Sequence, residues 1–326
     1  MLAKTIRAVV GLSASLSLLS GCAIGMKIPV KDPAPSPVAY AKKDAAPTTL
    51  AFKDDRLSGE KAMPLSGTIP MQMMYQDKPF DPVPWVATHT AKELAARGLP
   101  VSLNSDTADG TKVSIQRLHI ENYRANGFSP FITFTSLRAD VITPKGPQRV
   151  TAYVKRGKVP VWSFDEIIEP TFNAPLSLLT KELAAKLNQQ VFGQVVADQE
   201  VEALITRIEA NPTRDDAYLD VYQLGFSNNR KAVPELAKLT VHPSEYVRLA
   251  AISSLGILKA EDQFDLLASL YESRAGLWQD RAMALKAIGD LGTEQSRAYL
   301  EHEWAKYEKA TDKEGLWNKE ILSLYL

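Results

Sequence analysis

Cysteine is almost missing from this chain: Cys22 is the only one in 326 residues, so no internal disulfide can form. Histidine is scarce as well, with four. His302-Glu303 opens like the helix of a zinc protease, but position 306 is lysine where HExxH requires its second ligand. His89 sits in a helix rich in small residues and His119 stands alone in a strand, so both read as packed or surface imidazoles. No GxSxG elbow, P-loop or GxGxxG follows a strand. Charge of one sign is missing too. Lys and Arg number 38 against 38 Asp and Glu, a formal net of +0, which offers no basic field for a nucleic-acid partner. Long apolar runs are absent. Ala8 to Leu19 falls short of the roughly 20 apolar residues needed to span a bilayer, and no later run approaches that length. The expectation is a chain with no catalytic, cofactor or metal constellation.

Near its start the chain has a clear address. Lys4 and Arg7, the apolar stretch Ala8 to Leu19, and the small residues Ser20 and Gly21 form a secretory signal over 1–21. Leu19-Ser20-Gly21-Cys22 resembles the lipobox of bacterial lipoproteins. That resemblance implies cleavage before Cys22, a diacylglycerol on its thiol and a third acyl chain on the freed amine. Two or more chains anchor stably where one does not. Ala23, where an Asp would favour inner-membrane retention, implies the outer membrane, with the body facing the periplasm.

Residues 22–48 carry Pro29, Pro33, Pro35, Pro37 and Pro47, which favour extended backbone. A tether is expected there, at roughly 3.1 Å per residue in polyproline form. Residues 49–195 read as an α/β domain. A strand at 49–56 leads into an irregular stretch up to Pro82. A helix follows over 83–98, with Val83, Val86, Ala87, Thr90, Ala91 and Leu94 on one face and Gly98 as its stop. A short strand near 100–103 precedes three longer ones at 112–123, 129–143 and 148–156, the last two joined by a hairpin turn at 144–147. A second helix over 173–193 repeats Leu176, Leu179, Leu183, Leu187 and Val191 along one face. Two helices on one face of a mostly antiparallel sheet satisfy this order. The order and the lipidated start resemble the small α/β domains of transport-auxiliary lipoproteins.

Two local clusters bear on chemistry. Asp54 and Asp55 are adjacent, so on a strand their carboxylates diverge; a turn or an ion pair to Arg56 is expected. Met71, Met73 and Met74 are soft ligands of the kind that suit Cu(I). With no His or Cys nearby they read as packing residues.

From 196 to 326 the pattern is helical and repeats. AYLDVYQLG, RLAAISSLG and RAMALKAIG end at Gly225, Gly256 and Gly289, and second helices fall between them. EYVRLAAISSLGIL (245–258) resembles the second helix of HEAT repeats. The resemblance implies that Arg248 and Arg281 pair with acids on the neighbouring repeat. Gly-Leu-Trp recurs at 276–278 and 315–317, and LWNKEILSLYL should cap the array. Trp278, Trp304 and Trp317 are expected to lie partly buried between helices, although Trp is also enriched at binding surfaces.

The expected fold is α+β, a small sheet with two packed helices and then an all-α solenoid, with room for two separate cores. The expected role is a non-enzymatic, membrane-anchored scaffold that meets an envelope protein. The alternative is an auxiliary component of an envelope lipid or solute transport system.

Overall fold

A computed structural model of the chain describes residues 25–41, 45–62, 64–104, 110–143 and 146–326. The signal segment 1–21, Cys22 and part of the 144–147 turn lie outside the described residues. The fold is mixed α+β, with a sheet-containing N-terminal region followed by helices.

Three long strands dominate the sheet: β7 (Thr111–Tyr123), β8 (Phe131–Thr143) and β9 (Gly146–Lys158), paired antiparallel. Short strands join them in parallel. β2 (Thr48–Asp54) runs beside both β6 (Val101–Leu103) and β7, and β3 (Leu65–Gly67) pairs with the other half of β7. The path is therefore β6-β2-β7-β8-β9, less uniformly antiparallel than the sequence predicts. Alternation places Phe131, Thr133, Thr135, Leu137, Ala139 and Val141 of β8 on one face. An irregularity between Ile115 and Arg117 in β7 shifts the register, so that Ile115 and Leu118 both turn to that face and both are buried.

Two helices cover this face. α2 (Pro82–Ala96), preceded by the single-turn α1 (Ser58–Ala62), lies over β6, β2 and β7. α3 (Ala174–Leu187) lies over β8 and β9. Gly98 takes φ 87° after α2, the left-handed stop that the sequence predicts.

The Pro-rich segment is a correction. It is not a free tether. Met26–Pro29 is a strand, β1, paired with β4 (Met71–Tyr75), which turns through Gln76 and Asp77 into β5 (Lys78–Pro79). The stretch read as irregular before Pro82 therefore holds this small sheet as well as α1 and β3. Ile28, just before the first proline, and Val30, Val38 and Tyr40 between the prolines are buried. Ala41 N–H donates to the Val195 carbonyl at 2.7 Å, and Ser36 N–H to Glu93 Oε2 at 2.9 Å. Proline sets the extended backbone; the apolar residues between the prolines decide that it packs.

The helical half stacks four pairs: α4 (Asp198–Ala210) with α5 (Ala217–Gly225), α6 (Val233–Leu239) with α7 (Glu245–Ile257), α8 (Phe264–Glu272) with α9 (Trp278–Leu291), and α10 (Glu294–Tyr307) with α11 (Lys313–Tyr325). The second helix of each pair packs on the next, α5 on α7 on α9 on α11. Glycine permits this. A Cβ at Gly256 would stand 2.6 Å from Ala287 Cα, and one at Gly289 would stand 2.6 Å from the Tyr325 ring.

Separate cores do not exist among the described residues. One contiguous apolar cluster runs from Ile28 through the sheet and α3 to Leu324. The expected boundary at 195/196 is a change of secondary structure within one packed body.

Candidate functional site

Every second helix of the array touches the α/β half, and together they cover the edge strand β9 and the second face of the sheet. An edge strand exposes unpaired backbone groups that must be covered or blunted. Here Lys186 Nζ donates to the Thr151 carbonyl at 2.7 Å, and Tyr246 OH meets both backbone groups of Gly157. Arg156 of β9 lies between two tyrosine rings, 4.0 Å from the Tyr218 centroid and 4.3 Å from that of Tyr246. Lys155 pairs with Glu245.

At one end of this seam Arg97 is wholly buried. It donates to Glu93 Oε1 at 2.7 Å and to Gln223 Oε1 of α5 at 2.7 Å, and its guanidinium faces the rings of Tyr40 and Phe226. The Pro-rich strap, α2 and the array meet at this one cation. Burial raises the Tyr40 hydroxyl pKa to about 12, only partly opposed by Arg97, so it stays protonated and donates to the Phe226 carbonyl at 3.1 Å.

At the centre lies a knot of four buried charges from two helices. Glu182 and Lys186 come from α3, Lys286 and Asp290 from α9. Lys286 Nζ stands 2.6 Å from Glu182 Oε1 and 2.7 Å from Asp290 Oδ2; Lys186 Nζ stands 2.7 Å from Glu182 Oε1 and 2.6 Å from Asp290 Oδ1. Ser253 Oγ accepts from Lys286, while Thr151 Oγ1 and Tyr325 OH donate to Asp290. Desolvation alone would lower the Lys286 pKa, but the Asp290 and Glu182 charges outweigh it and the pKa ends above its ordinary value. Desolvation would likewise raise Asp290, and the Lys186 and Lys286 charges hold it below the usual carboxylate range. Acid–base catalysis wants groups moved toward neutral pH. Lys286 and Asp290 move away from it, which makes the knot a fixed electrostatic clamp.

At the other end α11 lies on the second face of the sheet. Trp317 packs on Phe134 of β8, Glu320 takes Arg117 NH2 at 2.7 Å, and Arg138 donates to the Ser323 carbonyl at 3.1 Å. The cap expected of LWNKEILSLYL is therefore an intramolecular cover. Beside the knot a cleft of about 680 Å³ opens between sheet and array, with Arg149, Lys186, Lys259, Arg297, Asp290 and Glu294 in its wall. It can hold a polar or ionic solute.

The residues singled out in the sequence are scattered. His89 is buried against Trp85, 3.3 Å from Asp32. His119 meets Ser66 Oγ at 2.8 Å, and burial with the Arg117 charge lowers its pKa to about 4. His302 is exposed on α10. Arg56 pairs with Asp54 at 2.9 Å, the ion pair expected there. Met73 is buried in β4, with Met71 on the same face of the strand. Arg248 reaches Asp280 at 3.1 Å and Arg281 reaches Glu314 at 2.7 Å, the expected ladder between repeats. Trp278 and Trp317 pack on the sheet as well as on each other, while Trp304 lies under Lys319. Among the described residues no group of His, Cys, Asp and Glu is arranged to hold a metal, and no helix is long and apolar enough to cross a membrane.

The sequence reading missed the four charges of the knot. A signal was present within each helix, since Glu182 and Lys186 flank Leu183 on the apolar stripe of α3 and Lys286 and Asp290 are spaced i,i+4 beside Ala287, but nothing in the sequence joins the two helices.

A search of curated proteins found no match. Among solved structures, one described as an uncharacterized protein is 8% identical, covers 48% of this chain and 99% of its own, and aligns with a TM-score of 0.31. So low a score carries no inference. Residues 201–279 match the family model for HEAT repeats, a span that runs from α4 to the start of α9. Over 201–279 the helical region is thus similar to HEAT repeats, a class suited to protein contact and scaffolding.

Proposed function

We propose that this chain is a lipid-anchored scaffold of the bacterial envelope. Acyl chains on Cys22 hold it at the outer membrane facing the periplasm, and the HEAT repeats take a protein partner. The observation that carries the scaffold reading is the repeat match over 201–279 together with exposed positions along the outer helices, among them Glu209, Asp265 and Glu301. The inner row α5, α7, α9 and α11 is occupied by the chain's own sheet, so the partner docks on the outer row, α4, α6, α8 and α10. The role is non-enzymatic. The ionised knot supports this, because its Lys286 and Asp290 are locked in opposite charge states. The seam cleft is lined by charged side chains, which suits a polar solute better than an acyl chain and gives the transport-auxiliary reading no greasy groove.

The test places a photo-crosslinking side chain at Glu209, Asp265 or Glu301, three exposed outer-row positions, in the full chain. Irradiated cells are expected to give one recurrent protein adduct. No adduct at any of the three would overturn the outer-row assignment. Mass analysis of the mature product checks the anchor independently.

A further inference from the structure

The loop joining β7 to β8 and the loop leaving β9 lie side by side at one end of the sheet, where Phe131 pairs with Lys158. Arg124 from the first holds its guanidinium 5.3 Å from the ring centroid of Phe164 in the second, and Phe164 packs edge-on against Phe131 at 5.7 Å. Both loops point apolar side chains into water. Phe128 is 96% exposed, Trp162 92% and Val161 67%.

Neither loop is slack. Asn126 Oδ1 accepts the N–H groups of Phe128 and Ser129 at 2.9 and 3.0 Å. Arg124 clamps the same turn through the Gly127 and Ser129 carbonyls. In the second loop the Glu166 carboxylate accepts three backbone N–H groups, from Val161, Trp162 and Ser163, at 3.0, 2.7 and 3.0 Å. These bonds fix the backbone of the turn that carries Val161 and Trp162. Rigid display of Phe and Trp in water marks a surface that is covered in use.

The chain enters the body at this same end. Gly25 lies against Pro70. Just before Pro70, Ile69 N–H donates to Asn122 Oδ1 at 2.9 Å, and Thr68 Oγ1 accepts from Arg124 N–H at 2.9 Å. The entry point is thus tied to the root of the Phe128 loop. Cys22 precedes Gly25 by three residue steps, a reach of about 10 Å at most.

We propose that this sheet end is a membrane-docking tip: Phe128, Val161 and Trp162 enter the headgroup region of the bilayer beside the acyl chains of Cys22. The inference rests on the acylation of Cys22 proposed above. The occupant is lipid because the anchor brings a bilayer within reach of these loops. Aromatic side chains favour the headgroup level, and Arg124 and Lys158 stand beside the apolar tips, where anionic headgroups would face them. A body held at two points has one orientation on the membrane. A chain held by Cys22 alone would swivel.

The test uses the full acylated chain in phosphatidylethanolamine/phosphatidylglycerol vesicles with brominated acyl chains. The emission lost in Trp162→Phe, taken as the parent-minus-variant difference, is expected to be blue-shifted and quenched about twofold or more. In a second arm the unacylated Cys22→Ser chain is sedimented with the same vesicles. Adding Trp162→Ser is expected to weaken binding about tenfold, the effect of withdrawing one large apolar side chain. Both substitutions sit at exposed positions and leave the core intact. An acylated chain whose Trp162 stays unquenched overturns the tip and leaves the anchor standing; so does capture of Trp162 by a second protein. A bare thiol on Cys22 in the mature product overturns the anchor and the tip together.

Discussion

Trp278 and Trp317 pack at a tilt of 32° with 4.6 Å between ring centroids, and Phe134 of the sheet lies 4.9 Å from Trp317. Each tryptophan closes a Gly-Leu-Trp triplet at the start of an inner-row helix, so repeated sequence becomes a shared aromatic contact with another part of the fold. Trp317→Ala is expected to destabilise the chain by about 3–5 kcal/mol, read as a lower midpoint in urea. Because the core is continuous, sheet and helices should still unfold together. Two separated transitions in the parent, followed by near- and far-ultraviolet circular dichroism, would contradict the single body.

Lys286→Ala leaves Glu182 and Asp290 buried with Lys186 as their one remaining ammonium. Breaking such a network by removing one partner costs about 3–5 kcal/mol. The pH dependence has two limbs. Asp290 has a folded pKa below its unfolded value, so its contribution is present above about pH 3.9 and is lost as pH falls further. Lys286 has a raised folded pKa, so its contribution is complete below about pH 10.4 and is lost as pH rises through the folded value. Urea midpoints measured across pH should flatten on the acid side in Asp290→Asn and on the alkaline side in Lys286→Met.

His119 is expected to titrate near pH 4 by NMR, against an ordinary value of 6.5. The sign is opposite to that of a paired histidine. The unfolded chain takes the proton first, so stability is full above pH 6.5, falls between 6.5 and about 4, and levels off below. His119→Gln should remove that slope. An unchanged slope would place the acid sensitivity elsewhere.

Gly256→Ala forces a methyl group against the backbone of α9 and is expected to cost about 1–3 kcal/mol. Gly59→Ala, with nothing within 4 Å of the new Cβ, should stay within about 0.5 kcal/mol. Equal effects at the two sites would mean that the helix spacing is looser than the packing shows.

Periodicity in the sequence located β7, β8, β9, α2 and α3 to within a few residues, because each buries a regular stripe over many residues. The repeat helices were legible for the same reason, and the Arg248 and Arg281 ladder followed from their equivalent positions. β1 was hidden. Its partner β4 lies far along the chain, and prolines mask the alternation of Ile28 and Val30. The knot was hidden by chemistry, since Glu182, Lys186, Lys286 and Asp290 read singly as solvated charges. Only their mutual pairing makes their burial tolerable, and pairing between α3 and α9 has no local signal. The docking of the array onto β9 was illegible too, because an edge strand looks the same in sequence whether or not something lies against it.

α11 comes later in the chain than every strand that it covers. A polypeptide delivered from its N-terminus therefore holds β7, β8 and β9 with one side open, and Phe134 and Tyr153 wet, until residue 325 arrives. Arg149 then grips the Tyr325 and Leu326 carbonyls at 2.7 and 3.2 Å, like a latch dropping after the door has closed. Closure of this face thus waits for α11, and a chain whose α11 has not yet docked would meet proteases and sticky neighbours with its sheet uncovered.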